Sequence, residues 1–415
     1  MRNRERRTEL PPDVWAMAGV ALCVALGFGV VAPAIPLFAR QFGVDATAAG
    51  AVVSAFALMR LISGPVAGRL VDRIGERTAL MVGLGVVAVS SLLAGLAASY
   101  PQLLILRGIG GVGSALFGVA AVSLVLKVAT TRTRGEAMSV YRSGFLVGGI
   151  VGPALGGAAL GISLRAPFFL YAGTLVLAAV VAMAYIGRAE RRRPADEEPP
   201  PVPEVAPGPT FRQVLGTTQY QVALLANLAV GLAVFGLRSA VVPLFFVDAL
   251  HTPASWVAFA FLASTIVQTA LMLPAGRWSD TAGRRPALLV GVAGSAAGLV
   301  LLAVSDTLAV ALVAMAVFGA GSAFLGSVPA ALVGDVAGRR SGNVVAIFNM
   351  ASDLGAVIGP VLAGLLVDHG SYAAAFLLGA AVIALTGVLA LRLPSGPPPS
   401  DEPAEQPGDG TSSDR

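Results

Sequence analysis

From Val14 to Leu393 the chain is a succession of long apolar runs separated by short polar breaks. Hydropathy places the runs near 14–38, 48–68, 78–98, 101–126, 137–161, 167–187, 218–247, 253–276, 286–304, 308–333, 343–367 and 371–391, twelve in all. Crossing a bilayer as a helix takes about 20 predominantly apolar residues, whereas tilted barrel strands are roughly half as long. Backbone polar groups in hydrocarbon must be satisfied within the element, so runs of this length rich in Leu, Ala and Val predict helices. The pattern predicts an all-α membrane protein of twelve transmembrane helices.

Composition agrees: 56% apolar against 12% charged residues and a mean hydropathy of +0.81 exclude an ordinary soluble chain. A net charge of +5 alone suggests nucleic-acid binding, but the distribution of the charges removes that reading. Of 28 Lys and Arg, 22 fall in the tails and even-numbered loops, two (Arg40 and Arg165) in odd-numbered loops, and four within spans. The positive-inside rule then puts both termini in the cytoplasm of a cell-membrane protein. Arg2 to Arg7 before an apolar run imitate a secretory signal, but an uncleaved first helix followed by eleven more explains them equally well. Cys23 is the only cysteine, and His251 and His369 have no companions at ligand spacing, so neither disulfide nor metal site is expected. The segment GIGGVG at 108–113 matches a dinucleotide-binding glycine pattern but lies inside a span, where no strand can precede it. No cofactor and no enzymatic chemistry are expected.

The apolar pattern stops between Gly187 and Phe211, where Arg191, Arg192, Arg193, Asp196, Glu197, Glu198 and many prolines cannot build a core. The expected organisation is a tail at 1–13, a six-helix bundle at 14–187, a cytoplasmic linker at 188–217, a second bundle at 218–393 and a disordered tail at 394–415. The two bundles repeat one another. GRLVDRIGERTALMVG at 68–83 and GRWSDTAGRRPALLVG at 276–291 agree at 9 of 16 positions with an offset of 208. GVGSALFG at 111–118 returns as GAGSAFLG at 319–326, and Gly148, Gly152, Pro153, Leu155 and Gly157 return as Gly355, Gly359, Pro360, Leu362 and Gly364. Parallel six-span repeats are a transporter arrangement in which a site between the repeats is exposed to either side by rocking.

These motifs resemble the major facilitator superfamily, and within it the twelve-span drug and proton antiporter branch. Gly68, Leu70, Asp72, Arg73, Gly75 and Arg77 match the family's loop signature after span two, and Gly276, Asp280, Gly283 and Arg285 keep part of it after span eight. Arg107 with Gly111 matches the span-four motif, although Gly110 stands where many members have Gln. Gly148, Gly152, Pro153, Gly156 and Gly157 match the efflux-associated signature of span five. The resemblance covers about residues 14 to 391 and implies the major facilitator fold, two pseudo-symmetric bundles. It also implies a conformational latch at Gly68, Asp72, Arg73, Gly75, Arg77, Asp280 and Arg285, with Asp72 held against the start of span eleven in the outward-facing state. The glycines and Pro153 of span five would be an efflux hinge, a role that an ordinary packing seam would match in composition.

Charges within spans cost several kcal/mol and point to a cavity or a partner. They are Arg60, Arg107, Arg142, Arg238 and Asp353. At 1.5 Å per residue, Arg60 and Asp353 share a depth of about 12–18 Å from the cytoplasmic end. In the resembling family spans two and eleven face one another, which makes the two residues a candidate pair between the bundles. By resemblance Arg107 serves proton coupling, acting electrostatically because an arginine does not cycle protonation itself. Relatives place an acid in span one; here none follows Asp13, leaving Asp353 as the deep carboxylate. The proton-coupling set is therefore Asp353, Arg107 and Arg60. Candidate substrate-cavity positions are Arg60, Asn227, Arg238, Gln268 and Asn349, with Phe235, Phe245, Phe246, Trp256 and Phe259 as candidate apolar walls.

The expected function is secondary active efflux of a small amphipathic or drug-like compound in exchange for protons, with the proton gradient as energy source and a monomer as the working unit. Import or proton-independent facilitation, export of an anionic lipid or organic acid, and a non-transporting receptor remain the alternatives. The partners expected are a small-molecule substrate and membrane lipids, with no nucleic acid.

Overall fold

A computed structural model describes residues 10–129, 133–185, 211–337 and 342–396. The expected linker over 188–210 and the tails at 1–9 and 397–415 lie outside the described residues. Among the described residues there are twelve helices long and apolar enough to cross a membrane. They are α1 (Pro12–Arg40), α2 (Ala46–Ile74), α3 (Glu76–Gly95), α4 (Tyr100–Val128), α5 (Arg134–Ile162), α6 (Ala166–Tyr185), α7 (Thr218–Ala249), α8 (Ser255–Ala282), α9 (Arg284–Ala303), α10 (Leu308–Ala337), α11 (Gly342–His369) and α12 (Tyr372–Ala390). A five-residue helix, Phe211–Leu215, precedes α7. An even number of crossings puts the start of α1 and the end of α12 on one face, called the near face below; the opposite is the far face.

Local chemistry sets the ends and breaks of these helices. Pro33, which has no N–H to donate, coincides with a turn at Ala32–Pro33 that divides α1. Asp45 and Ser371 cap α2 and α12 by accepting from the Ala48 and Ala374 amides. Between α2 and α3, and again between α8 and α9, a single glycine turns the chain: Gly75 has φ of 81° and Gly283 of 103°, a region other residues enter only with strain. Helix α7 is wound as π-helix over Gly231–Leu237 and Phe245–Ala249, a local underwinding that re-aims the side chains around it.

The packing repeats as the sequence does. In the first half α1 packs on α5 and α6, and α4 on α2 and α3; in the second, α7 packs on α11 and α12, and α10 on α8 and α9. Small residues let these backbones approach. A side chain at Gly111 would meet the Phe56 carbonyl, and one at Gly319 the Ser264 carbonyl, the same crossing displaced by 208 residues. Between the halves the main contacts are α2 with α11 and α5 with α8, again a repeat-related pair.

Candidate functional site

At mid-depth residues of both halves line a cavity that opens to solvent. Phe28 of α1, Phe56 of α2 and Phe235 of α7 supply aromatic walls, and Arg60, Arg107 and Ser239 the polar groups. Arg60 forms an ion pair across the halves with Asp353 of α11. The two side chains are 40% and 22% exposed, so the pair is not sealed in the protein, and its Arg60 side lines the cavity. Toward the far face, Ser54 donates to the Val357 carbonyl at 2.6 Å and ties the same two helices again.

Arg107 of α4 is 3% exposed, and its guanidinium lies 4.5 Å from the centre of the Phe56 ring. Its Nε has no partner, and no carboxylate pairs with it among the described residues. Arg238 of α7, just past the first π-helical segment, reaches Ser264 Oγ at 3.5 Å and lies 5.0 Å from the Phe261 ring centre, also with an unpartnered Nε. Because Ser264 is the repeat equivalent of Phe56, the two guanidinium groups occupy corresponding crossings in the two halves. They come from different helices: the counterpart of Arg107 in α10 is the buried Met315. Aromatic rings compensate a buried cation only in part, so Arg107 leaves the cavity lining electropositive; Arg238, expected at the cavity, is not part of that lining.

The remaining candidates scatter. Asn227 donates its amide to the Phe348 carbonyl at 2.5 Å and so ties α7 to α11 within one half. Gln268 is half-buried on α8 and Asn349 exposed on the near half of α11; neither lines the cavity. Of the proposed aromatic walls only Phe235 does. Phe245 and Phe246 are buried, Phe245 against Tyr372 and Phe376, whereas Trp256 and Phe259 stack on each other with exposed faces. Phe28 and Phe56 went unnoticed in the sequence because nothing marks them off from other span aromatics.

The glycines of α5 form a seam with α1. Gly148 meets Leu22 and Leu26, Gly152 meets Leu26 and Gly29, and Gly156 meets Val30, all through backbone atoms, while α5 continues unbroken through Pro153. Gly157 points the other way, toward Ser255 and Ala258 of α8, and its repeat counterpart Gly364 meets Ala46 and Thr47 of α2. These two contacts close the far face.

Everything that crosses between the halves by hydrogen bond or ion pair, among the described residues, lies from the Arg60–Asp353 level to the far face. Asp368 at the end of α11 accepts from the Ala46 amide at 2.9 Å, the Thr47 amide at 2.8 Å and the Thr47 hydroxyl at 2.5 Å. Arg40 and Asp248 pair at 3.6 Å between the far ends of α1 and α7. Toward the near face, Asp72 and Arg73 are exposed without polar partners, Arg285 is half-buried without one, and Arg77 donates to the Met183 carbonyl at 3.3 Å within its own half. Gly68 has open space around it. In the second loop, Asp280 pairs with Arg284, which also holds Asp335 at 2.9 Å. Among the described residues, the polar ties between the halves are therefore confined to the far side of the molecule.

Two six-helix repeats around a mid-depth cavity, tied by polar contacts toward one face, is a transporter architecture, and the sequence profile of the Major Facilitator Superfamily matches twice, at residues 17–237 and 223–413. The chain belongs to the Major Facilitator Superfamily. It is a multi-pass membrane transporter of small molecules. Within the superfamily it is 28% identical over 348 residues to Multidrug resistance protein 2 of Bacillus subtilis (strain 168), covering 83% of this chain and 86% of that one. It is 29% identical over 168 residues to the quinolone resistance protein NorA of Staphylococcus aureus, covering 39% of this chain and 42% of the other. Among solved structures, a bacterial homolog of the human lysosomal transporter Spinster in an inward-facing, unoccupied conformation superposes with a TM-score of 0.69 at 16% identity, over 91% of this chain and 94% of that one. At that identity the likeness speaks for the fold.

Proposed function

We propose that the protein exports a small amphipathic compound across the cell membrane in exchange for protons, by alternating access, as a monomer. The observation that carries this reading is the Arg60–Asp353 ion pair, which joins the halves beside the cavity that Arg60 lines. Paired with Arg60 the carboxylate is stabilised as an anion; left alone in a low-dielectric interior it takes a proton instead of bearing the desolvation cost. Parting and rejoining of the halves then moves a proton. The aromatic walls suit an apolar body, and relatives named for multidrug resistance favour efflux. On this reading the placement of Lys and Arg makes the near face cytoplasmic, and Asp72, exposed and unpartnered, is the group that latches the near face when the far face opens.

Uptake into everted vesicles under an imposed pH gradient tests the exchange. Acidifying the lumen should drive accumulation of the exported compound, and accumulation indifferent to the gradient would leave facilitation. In a Cys23→Ser background, cysteines at Arg40 and in the 188–209 linker should be labelled from opposite sides of intact cells. A second reading, export of an anionic lipid or organic acid, draws on buried Arg107 and half-buried Arg238, two guanidinium groups without carboxylate partners and each with a buried, unpartnered Nε. Competition by matched anionic and cationic amphipaths separates the two, since the exchange reading expects the cation or neutral compound to compete better.

A further inference from the structure

The first turn of a helix carries amides that its own backbone cannot satisfy, and the partial positive charge there favours an anion. At the start of α2 these amides are shared between two carboxylates. Asp45, the helix's own cap, takes the Ala48 amide at 2.8 Å, while Asp368, from the opposite half of the molecule, takes those of Ala46 and Thr47 and the Thr47 hydroxyl. The cap of a 29-residue helix thus comes in part from the other side of the interface that alternating access must open. The corresponding crossing has no such group. Its α8 starts without a side-chain cap, and the α5 counterpart of Asp368 is Gly161. One of two repeat-related far-face contacts is therefore held by packing alone, and the other by packing plus a carboxylate.

We infer that Asp368 is the acid of the far-face gate: charged, it caps α2 and holds the gate shut, and neutralised by a proton from the far-side solution it releases α2 and lets the gate open. The inference rests on the proton-exchange reading for its purpose in the cycle and on the geometry for its mechanism. Opening the far face strips Asp368 of three donors at once, so its charged form is better stabilised in the closed state than in the open one. The sign follows from linkage: the stabilisation of the closed gate is fully present above the titration range of Asp368 and is lost as pH falls through it. Other charged or titratable groups surround it. Arg40 on α1 favours its anion; Asp248 on α7, Asp45 before α2 and Tyr372 on α12, which donates to Asp248 at 3.0 Å, bear on the same cluster; His369 beside it is bonded to the Leu365 carbonyl of its own helix. Arg40 is already engaged by Asp248 and by the Val44 carbonyl, leaving the α2 amides and Thr47 as the direct partners of Asp368.

Spin labels at Gln41→Cys and Pro253→Cys, in a Cys23→Ser background in lipid nanodiscs, report the far-face separation without needing a substrate. Lowering pH from about 7.5 to about 3.5, through the ordinary carboxylate range, should raise the separated population about two- to threefold, with little change above about pH 5. Asp368→Asn should show that population already at the higher pH and a flat profile, Asp368→Glu should restore the pH response, and Asp353→Asn should keep it. A pH response that survives in Asp368→Asn, or a wild-type far face whose separation ignores pH, overturns the inference. A response lost in Asp353→Asn instead would assign it to the central ion pair. Intact far-face gating together with gradient-independent transport would sink the exchange reading and leave the gate standing.

Discussion

The two near-face loops share a backbone and differ in what their charges do. Both turn on a glycine with positive φ, and both are followed by a helix whose first residue reaches a partner 51 residues later. In the first half that pair is Glu76 with Lys127 at 3.0 Å; in the second it is Arg284 with Asp335 at 2.9 Å, the same contact with its charges reversed. The reversal decides the fate of the preceding aspartate. Arg284 also takes Asp280, four residues before it, whereas Glu76 repels Asp72 at the same spacing and leaves it exposed and unpartnered. One loop is internally neutralised, and the other holds an exposed carboxylate without a partner. A repeat motif that looks like two copies of one device thus becomes a strut in one half and, on the present proposal, a latch in the other.

The comparison can be broken at several points. Asp72→Asn should cost the most, at least about tenfold in transport with expression and substrate binding nearly unchanged, and should shift label distances between the halves toward the near-open population. An unchanged distribution with normal transport would reject the latch. Copying the second loop into the first with Glu76→Arg and Lys127→Asp keeps the helix–loop pair but offers Asp72 an arginine at the spacing of Arg284. Transport should fall about fivefold, whereas Glu76→Gln with Lys127→Gln, which removes the pair without offering Asp72 a cation, should cost less. Asp280→Asn should be mildest, within about twofold in transport, because Arg284 keeps Asp335, and exposed ion pairs contribute roughly 0–1 kcal/mol to stability. A loss at Asp280 equal to that at Asp72 would erase the distinction between the loops.

Much of this architecture was legible in the sequence because bilayer physics leaves few options: length and apolarity gave the twelve helices, and internal identity at a fixed offset gave the repeat. Depth counted at 1.5 Å per residue put Arg60 and Asp353 on one level. Azimuth was not legible. Spans apolar on every side carry no amphipathic stripe to say which side chain faces the cavity, so Phe245 and Trp256 could not be told from Phe235, and the π-helical turns of α7 shift the facing further. The matching guanidinium sites were hidden because α4 supplies one and α7 the other, which an alignment of the repeats cannot show. Asp368 was hidden because its partners are mainly backbone amides, present at every helix start and invisible as residue types.

The central claim is that the carboxylate of Asp353 carries the proton, with Arg60 as its electrostatic partner. It is tested most directly in sealed vesicles by comparing gradient-driven transport with substrate counterflow for Asp353→Asn, Arg60→Gln and the double variant. The account predicts that Asp353→Asn abolishes the gradient-driven component while counterflow persists, and that the double variant loses far less than the two single losses combined. Full gradient-driven transport by Asp353→Asn would contradict it.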